Sequence, residues 1–257
     1  MGSTIDAELL LDRLRGFEPP TSFRRQWRQM LFYPTLMQGF VARRMARIVT
    51  VSEASAQVIR RDFRVAAHRI RVVYNGLDSD RFHPGKPDAR VPGRVIYVGN
   101  LEDRNKGVPF LLQALPLCKR LRELVVISAS PDKSVWARDM VRDIGCGDKV
   151  RFRFQVSREV WQRWYASAEV AVSPSIFEGF GFPAAEAMAC GLPVVAARGG
   201  ALPEVVGDTG ILVPPRDSRA LAQALDRLLG DAALRARLGQ AARNRVRSLV
   251  RSGQAAC

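Results

Sequence analysis

The chain has 257 residues, of which 47% are hydrophobic and 25% charged, a composition typical of a folded globular protein rather than a disordered one. Every apolar run is shorter than the roughly 20 residues that a membrane-spanning helix needs. The start of the chain lacks the basic-then-apolar order of a signal peptide, so the cytoplasm is the predicted location. The formal charge of +15 predicts an anionic ligand, which leaves phosphorylated substrates, nucleic acid and anionic membrane surfaces open.

The first 92 residues contain two predicted strands, RIVTVS and RIRVVYNG, with one helix before the first strand and another between them. Ser52 is the predicted N-cap of the second helix. Residues 75–93 are rich in Gly, Pro and Asp and predict a linker. The basic stretch 23–48 is expected either to pack into a hinge region or to lie on an anionic membrane. Two strands are few for an independent core.

From Arg94 onward, short β-branched runs bounded by Gly or Pro alternate with helical runs. This alternation predicts an α/β fold with a doubly wound parallel sheet, whose strands are buried on both faces. Residues 93–257 are therefore predicted to form one domain. The predicted strands are RVIYVG, ELVVIS, KVRFRF, VAVSPS, PVVAA and GILVPP, and the last predicted helix is DSRALAQALDRLLG.

The stretch PSIFEGFGFPAAEAMACGLPVV, residues 174–195, contains the strongest candidate site. Ligands of a doubly wound sheet bind beyond the carboxyl ends of its strands, and the loop IFEGFGF follows the strand VAVSPS directly. Pro183 suits the first position of a helix, where its missing N–H costs nothing. The backbone N–H groups at the helix entrance, together with the helix dipole, would then form a cradle for anions or hydroxyl oxygens. These groups belong to Gly179, Phe180, Gly181 and Phe182.

Two glutamates, Glu178 and Glu186, flank this turn, and both carboxylates are expected to face one pocket. A carboxylate is a strong acceptor for vicinal hydroxyls, whereas phosphates need basic partners. The segment EDRNKG follows the strand RVIYVG at the same edge of the sheet and supplies Arg104 and Lys106. Together these residues predict a nucleotide-sugar site. The alternative is an ordinary glycine-rich turn, with Glu186 an exposed helix acid.

The segment EGFGFPAAEAMACGLPVVA resembles the E-x7-E signature of the retaining GT-B glycosyltransferases of family 4. The resemblance continues through AEVAVSPS, GGALPEVVGDTGILVPPRD, VSEASAQVIRRDF and VVYNGLDSDRF, and it covers roughly residues 23–249. It implies a GT-B fold with one complete Rossmann-like domain, residues 93–257, that binds the nucleotide-sugar donor. Residues 1–92 would be the remnant of an acceptor-side domain and a linker.

The resemblance also implies roles for individual residues. Glu178 would contact the transferred sugar and Lys106 the diphosphate, and these two are the implied catalytic residues. Glu186 would hold the ribose hydroxyls, and the backbone from 179 to 182 would bind sugar hydroxyls and phosphate. The remaining implied donor-binding residues are Gln155 and Val156 near the base, Asn100 where the family carries an Arg that grips the diphosphate, and Arg104 as a substitute for that Arg.

The implied reaction transfers a hexose from a nucleotide-diphosphate sugar with retention of configuration. No cofactor or metal is expected, because basic side chains and a helix dipole stabilise the leaving diphosphate. The sequence DSD at 78–80 is accordingly not predicted to bind metal. The cysteines lack metal-ligand spacing and are predicted to be reduced, buried thiols.

The length of the chain predicts a truncated or split enzyme, with a partner chain supplying the rest of the acceptor side. The sequence does not identify the acceptor, which is expected to be a glycan, a lipid-linked sugar or a small molecule. Nor does it decide whether the protein contacts the inner membrane face. One alternative is a non-catalytic subunit that binds nucleotide-sugars. Another is a basic nucleic-acid-binding protein, but nucleic acid is not the expected partner because the sequence lacks basic strands interleaved with aromatic residues.

Overall fold

The computed structural model describes residues 37–77, 82–84 and 90–254. The chain divides after Val73 into two compact units. In the first unit, the parallel strands β1 (Ile48–Thr50) and β2 (Ile70–Val72) are joined through helix α2 (Glu53–Phe63), and residues 37–44 form helix α1. Ser52 accepts a hydrogen bond from the N–H of Ser55 at 3.0 Å, which confirms the predicted N-cap.

The described residues of the second unit form a six-stranded, all-parallel sheet in the order β5-β4-β3-β6-β7-β8. After β3, the chain adds β4 and then β5 on one side of β3; it then crosses back and adds β6, β7 and β8 on the other side. This reversal confirms the doubly wound α/β fold and places the topological switch point between β3 and β6. The strands are β3 (Arg94–Val98), β4 (Glu123–Ser128), β5 (Val150–Phe154), β6 (Val170–Ser173), β7 (Val194–Ala197) and β8 (Ile211–Val213).

Helices follow these strands and cover the sheet. The last of them, α9, was not predicted from the sequence. One stripe of this helix packs against the core, because four apolar residues spaced four positions apart are at most 9% exposed: Leu234, Leu238, Ala242 and Val246. The helices are α3 (Val108–Ala114), α4 (Val135–Asp143), α5 (Arg158–Ser167), α6 (Phe182–Ala189), α7 (Leu202–Val206), α8 (Ser218–Gly230) and α9 (Ala232–Gln254).

The central strands are buried on both faces, as the continuous apolar runs predicted. Val125, Val172 and Val195 are all at most 5% exposed, whereas the edge strand β5 is only partly buried. Among the described cysteines, Cys118 and Cys190 are free and buried, and burial raises the pKa of each thiol to about 12. These two thiols therefore stay protonated, and Cys146 is likewise free and buried, so the described cysteines are buried thiols as predicted. Among the described helices, none is both long enough and apolar enough to cross a bilayer.

Candidate functional site

The loops that follow β3 and β6 meet at the switch point of the sheet. The N–H of Ile176 donates a hydrogen bond to the carbonyl oxygen of Asn105 at 2.7 Å, which ties the two loops together. Gly107 has φ +63°, and a Cβ at this position would lie 2.1 Å from the Pro174 carbonyl oxygen. Only glycine allows this approach, because any side chain would force the two loops apart.

Glu178 forms the charged centre of this junction. The Lys106 ammonium lies 2.7 Å from Glu178 Oε1, and the Ser175 hydroxyl donates to the same oxygen at 2.8 Å. Glu178 is 8% exposed, so a strong ion pair compensates the burial of its charge. The structure thus brings the two predicted catalytic residues into direct contact, one from each loop.

The backbone of Glu178 is held by a third loop, which follows β7. The N–H of Ala201 donates to the Glu178 carbonyl oxygen at 2.9 Å. Gly200, at φ +56°, approaches so closely that a Cβ would lie 2.2 Å from that same oxygen. Glu178 is therefore fixed from three neighbouring strands at the carboxyl edge of the sheet.

Helix α6 begins directly after this junction. Gly181 has φ +94° and precedes the first helical residue, Phe182. Pro183 is therefore the second helical residue, one position later than predicted, and its missing N–H still lies in the first turn, where no partner within the helix is lost. Phe180 is buried and packs edge-on against the half-exposed ring of Phe182, at 5.1 Å between centroids. A Cβ on Gly179 would meet no described residue within 4 Å, so a ligand can approach the backbone there.

Glu186, one turn into α6, is buried at 9% exposure, so the alternative expectation of an exposed helix acid is wrong. Its Oε2 accepts a hydrogen bond from the Tyr165 hydroxyl at 3.2 Å. Burial raises the pKa of Glu186 to about 7, and the hydrogen bond from Tyr165 lowers the pKa and limits the rise. This carboxyl group can therefore change its charge near neutral pH.

The remaining predicted residues separate into two cavities. Asn100, Gln155 and Val156 line a cavity of about 430 Å³ together with Trp161. Gln155 is exposed and has φ +49°, and Asn100 Oδ1 accepts the N–H of Glu102 at 3.0 Å.

Arg104 instead lines a separate cavity of about 740 Å³ with Asp132, Lys133 and Trp136. It begins the short 3-10 turn Arg104–Lys106 and is exposed. The structure therefore brings Lys106, but not Arg104, to Glu178.

Three residues at the site escaped the sequence analysis: Ser175, Tyr165 and Tyr97. Ser175 lies three residues before Glu178, and this short spacing was an available signal. Tyr165 lies on α5, and no local pattern links it to Glu186. The hydroxyl of Tyr97 is buried without a hydrogen-bond partner among the described residues. Burial first, and then the charges of Glu178 and Asp103, raise the pKa of Tyr97 well above its usual value.

The described part of the chain contains no cluster of three His, Cys, Asp or Glu side chains that could hold a metal ion. Residues 78–80, which carry the DSD sequence, lie outside the described residues.

Two family models match the chain. The model described as "Glycosyl transferases group 1" matches residues 92–231, more than half of the chain, and the model described as "Glycosyltransferase Family 4" matches residues 12–81. The chain belongs to the group 1 glycosyltransferases. The first match spans every strand of the second unit's sheet and therefore includes both glutamates and Lys106.

Known proteins support this assignment. This group 1 chain is 38% identical over 241 residues to the MMP alpha-(1->4)-mannosyltransferase of Mycolicibacterium hassiacum, an alignment that covers 90% of the chain and 58% of the relative. The structure of sucrose-phosphate synthase from Thermosynechococcus elongatus superposes with a TM-score of 0.78 at 31% identity, over 86% of this chain and 59% of that one.

A third similar protein is HepE of Anabaena, solved in complex with UDP and glucose. It has a TM-score of 0.78 at 22% identity, over 86% of this chain and 65% of HepE, and at this identity it shows the fold alone. The group 1 chain thus spans less than two thirds of each of the three proteins.

Proposed function

We propose that this chain forms the nucleotide-sugar-binding part of a glycosyltransferase that transfers a sugar with retention of configuration. The observation that carries the proposal is the 2.7 Å contact between Lys106 and Glu178. It places a cation and a carboxylate side by side at the switch point of a doubly wound sheet, where such sheets bind their ligands. A nucleotide-diphosphate sugar needs both groups, because its phosphates are anionic and its sugars present hydroxyls.

Lys106 is proposed to stabilise the diphosphate as it leaves the sugar. Its ammonium carries three N–H donors, so it can hold Glu178 and a phosphate oxygen at once. The N-terminus of α6 adds a positive dipole to the same edge of the sheet. Fixed positive groups of this kind stabilise the charge that develops in the transition state, so the proposed mechanism needs no metal ion.

The two carboxylates are proposed to bind different sugars of the donor. Glu178, held by Lys106, is proposed to accept a hydrogen bond from a hydroxyl of the transferred sugar. Glu186 is proposed to accept hydrogen bonds from the two vicinal hydroxyls of the ribose, a role that suits an ionised carboxylate with two oxygens. The cavity lined by Asn100, Gln155 and Val156 is proposed to hold the base.

The complete transfer reaction is proposed for the whole enzyme, and donor binding for this chain. The acceptor is proposed to be a glycan, a lipid-linked sugar or a small molecule, held by residues beyond the second unit or by a partner chain. A cytoplasmic location with contact to the inner membrane face stays a prediction.

Isothermal titration calorimetry with UDP, GDP and ADP tests donor binding. We expect saturable binding of one nucleotide, with about a hundred-fold loss of affinity in Glu186→Ala, because that variant loses two hydrogen bonds to a charged group. Asp143→Ala is the control, because Asp143 is exposed and lies outside the site. A chain that ignores all three nucleotides but binds nucleic acid, with an affinity that falls steeply with salt, would contradict the proposal.

A further inference from the structure

Tyr165 connects the interior of the second unit to the Glu186 carboxylate. Its side chain is 1% exposed, and its hydroxyl oxygen lies 3.2 Å from both Glu186 Oε2 and the Pro183 carbonyl oxygen. Both of these acceptors belong to α6, whereas Tyr165 belongs to α5. The hydroxyl therefore reaches across from a neighbouring helix to the first turns of the helix that contains Glu186.

The Tyr165 hydroxyl has one proton and two acceptors within reach, so the charge of Glu186 decides where the proton points. An ionised carboxylate is the stronger acceptor and draws the hydrogen bond to itself. When Glu186 is protonated, the same proton can satisfy the Pro183 carbonyl oxygen instead. The Tyr165 hydroxyl therefore keeps a hydrogen-bond acceptor whether Glu186 is ionised or protonated. Its hydrogen bond to Glu186 stabilises the ionised state.

Aromatic packing fixes the Tyr165 ring. Trp161 stacks on it with 6.4 Å between ring centroids and 24° between planes, and Phe82 packs edge-on at 6.3 Å. The Trp161 indole N–H is buried and makes no hydrogen bond of normal geometry within the described residues. It lies close enough to the Tyr165 oxygen to offset part of the rise that burial causes in the pKa of that hydroxyl. The ring cannot swing away from Glu186 without disrupting this packing.

Few other titratable groups act on Glu186. Cys190, at the end of the same helix, interacts with the Glu186 charge, and Arg243 of α9 acts on Cys190. The pKa of Cys190 is raised to about 12, so this thiol carries no charge near neutral pH. Lys106 and Glu178 neutralise each other in their own ion pair. Among the described residues, Tyr165 is thus the main group that offsets the desolvation of the Glu186 carboxylate.

We infer that Tyr165 is a positioning residue for donor binding, which orients Glu186 and holds it in the ionised form that accepts the ribose hydroxyls. The inference rests on the proposed role of Glu186. It extends the candidate site from the loops after β3 and β6 to α5 and the aromatic residues packed on it. It also makes this one hydroxyl set the pH at which donor affinity rises as Glu186 ionises.

The test is the pH dependence of donor binding between pH 5.5 and 9 in wild type, Tyr165→Phe and Glu186→Gln. The probe is UDP-glucose, GDP-mannose or ADP-glucose, whichever binds at pH 8, because their diphosphate groups do not titrate in this range and any ionisation of the uracil or guanine base near pH 9 affects every variant alike. We expect wild-type affinity to rise with pH as Glu186 ionises. Tyr165→Phe is expected to shift the inflection upward by about one pH unit, to weaken binding at pH 7 about five-fold and to converge with wild type near pH 9.

A second change at the same position moves the profile in the opposite direction. Incorporation of 3-fluorotyrosine at position 165 makes the hydroxyl more acidic and its hydrogen bond stronger, so the inflection is expected to move downward. Tyr74→Phe is the matched control, because it removes a hydroxyl that lies 3.5 Å from the carboxylate of Glu204. The control is expected to keep the wild-type profile.

The outcomes separate the inference from the function on which it rests. If Glu186→Gln weakens binding while Tyr165→Phe keeps the wild-type inflection, Glu186 binds the donor without help from Tyr165, and the inference is overturned. A uniform loss of affinity at every pH in Tyr165→Phe would indicate a merely structural role and would also overturn it. If Glu186→Gln binds as well as wild type, the proposed function itself fails.

Discussion

The two glutamates of the candidate site occupy opposite electrostatic surroundings. Glu178 lies between an ammonium and a hydroxyl, with Lys106 at 2.7 Å and Ser175 at 2.8 Å from the same oxygen. Glu186 has no cation among its hydrogen-bond partners in the described residues, and the Tyr165 hydroxyl lies 3.2 Å away. Burial dominates at Glu186 and raises its pKa to about 7. One carboxylate is thus compensated by charge, whereas the other is only partly compensated.

This difference shows that similar burial has different consequences for two residues of the same type. The Glu178–Lys106 pair ties two loops together, so it contributes to the fold as well as to the site. Glu186 contributes little to the fold in its ionised form, because a buried carboxylate without a cation destabilises the folded state. A residue that disfavours folding and lies at the ligand edge of the sheet is a candidate for a functional role.

Breaking the charge compensation of Glu178 is expected to have the largest effect. Lys106→Met leaves a buried carboxylate without its cation, which should cost about 4 kcal/mol of unfolding free energy. It should also weaken nucleotide binding at least a hundred-fold through loss of the diphosphate contact. Urea denaturation and calorimetry measure the two effects. The double variant Lys106→Met with Glu178→Gln should recover most of the stability but not the affinity, and recovery of both would contradict the assignment of Lys106.

Neutralising Glu186 should stabilise the fold, whereas Lys106→Met should destabilise it. Because its folded-state pKa of about 7 lies above the ordinary value of 4.5, folding favours the protonated form. As the pH rises from 4.5 to 7, Glu186 should therefore lower the free energy of unfolding of the wild type by about 3 kcal/mol in all. Glu186→Gln removes this dependence. The unfolding free energy of the variant, measured relative to that of the wild type, should therefore increase by about that amount between pH 4.5 and pH 8. Parallel stability profiles for the two proteins would contradict the assigned environment of Glu186.

The smallest effect on stability is expected at Gly179, in contrast with Gly200. Gly200→Ala drives a Cβ towards the Glu178 carbonyl oxygen at a φ of +56°, and it should cost about 2 kcal/mol of unfolding free energy. Gly179→Ala meets no described residue within 4 Å, so its cost should stay below about 0.5 kcal/mol. It should nevertheless weaken nucleotide binding, because the proposed site brings the ligand close to this backbone, where the added methyl group would obstruct it. Unchanged affinity in Gly179→Ala would exclude close approach of the ligand to this backbone.

The sequence predicted the parallel sheet and most of its elements because the strands are short, continuous β-branched runs with clear Gly and Pro boundaries. It also placed the loops of Lys106 and Glu178 at one edge of the sheet, since the carboxyl ends of parallel strands share that edge, but the direct contact between the two side chains emerged only from the structure. Helix α9 was missed, because its apolar stripe lies within a segment rich in arginine. The separation of Arg104 from Glu178 and the link from Tyr165 to Glu186 depend on tertiary packing, which spacing along the chain does not encode.

Hydrogen–deuterium exchange with and without the best-binding nucleotide tests the location of the proposed site most directly. The exchange of each peptide reports the local opening of its backbone, which a bound ligand suppresses. We expect protection in residues 99–107 and 174–186, with weaker protection around Gln155. The basic cavity on another part of the second unit, lined by Lys119, Arg120, Arg219 and Arg227, should show no change. Protection at that basic cavity, with none in the loops after β3 and β6, would contradict the proposed site.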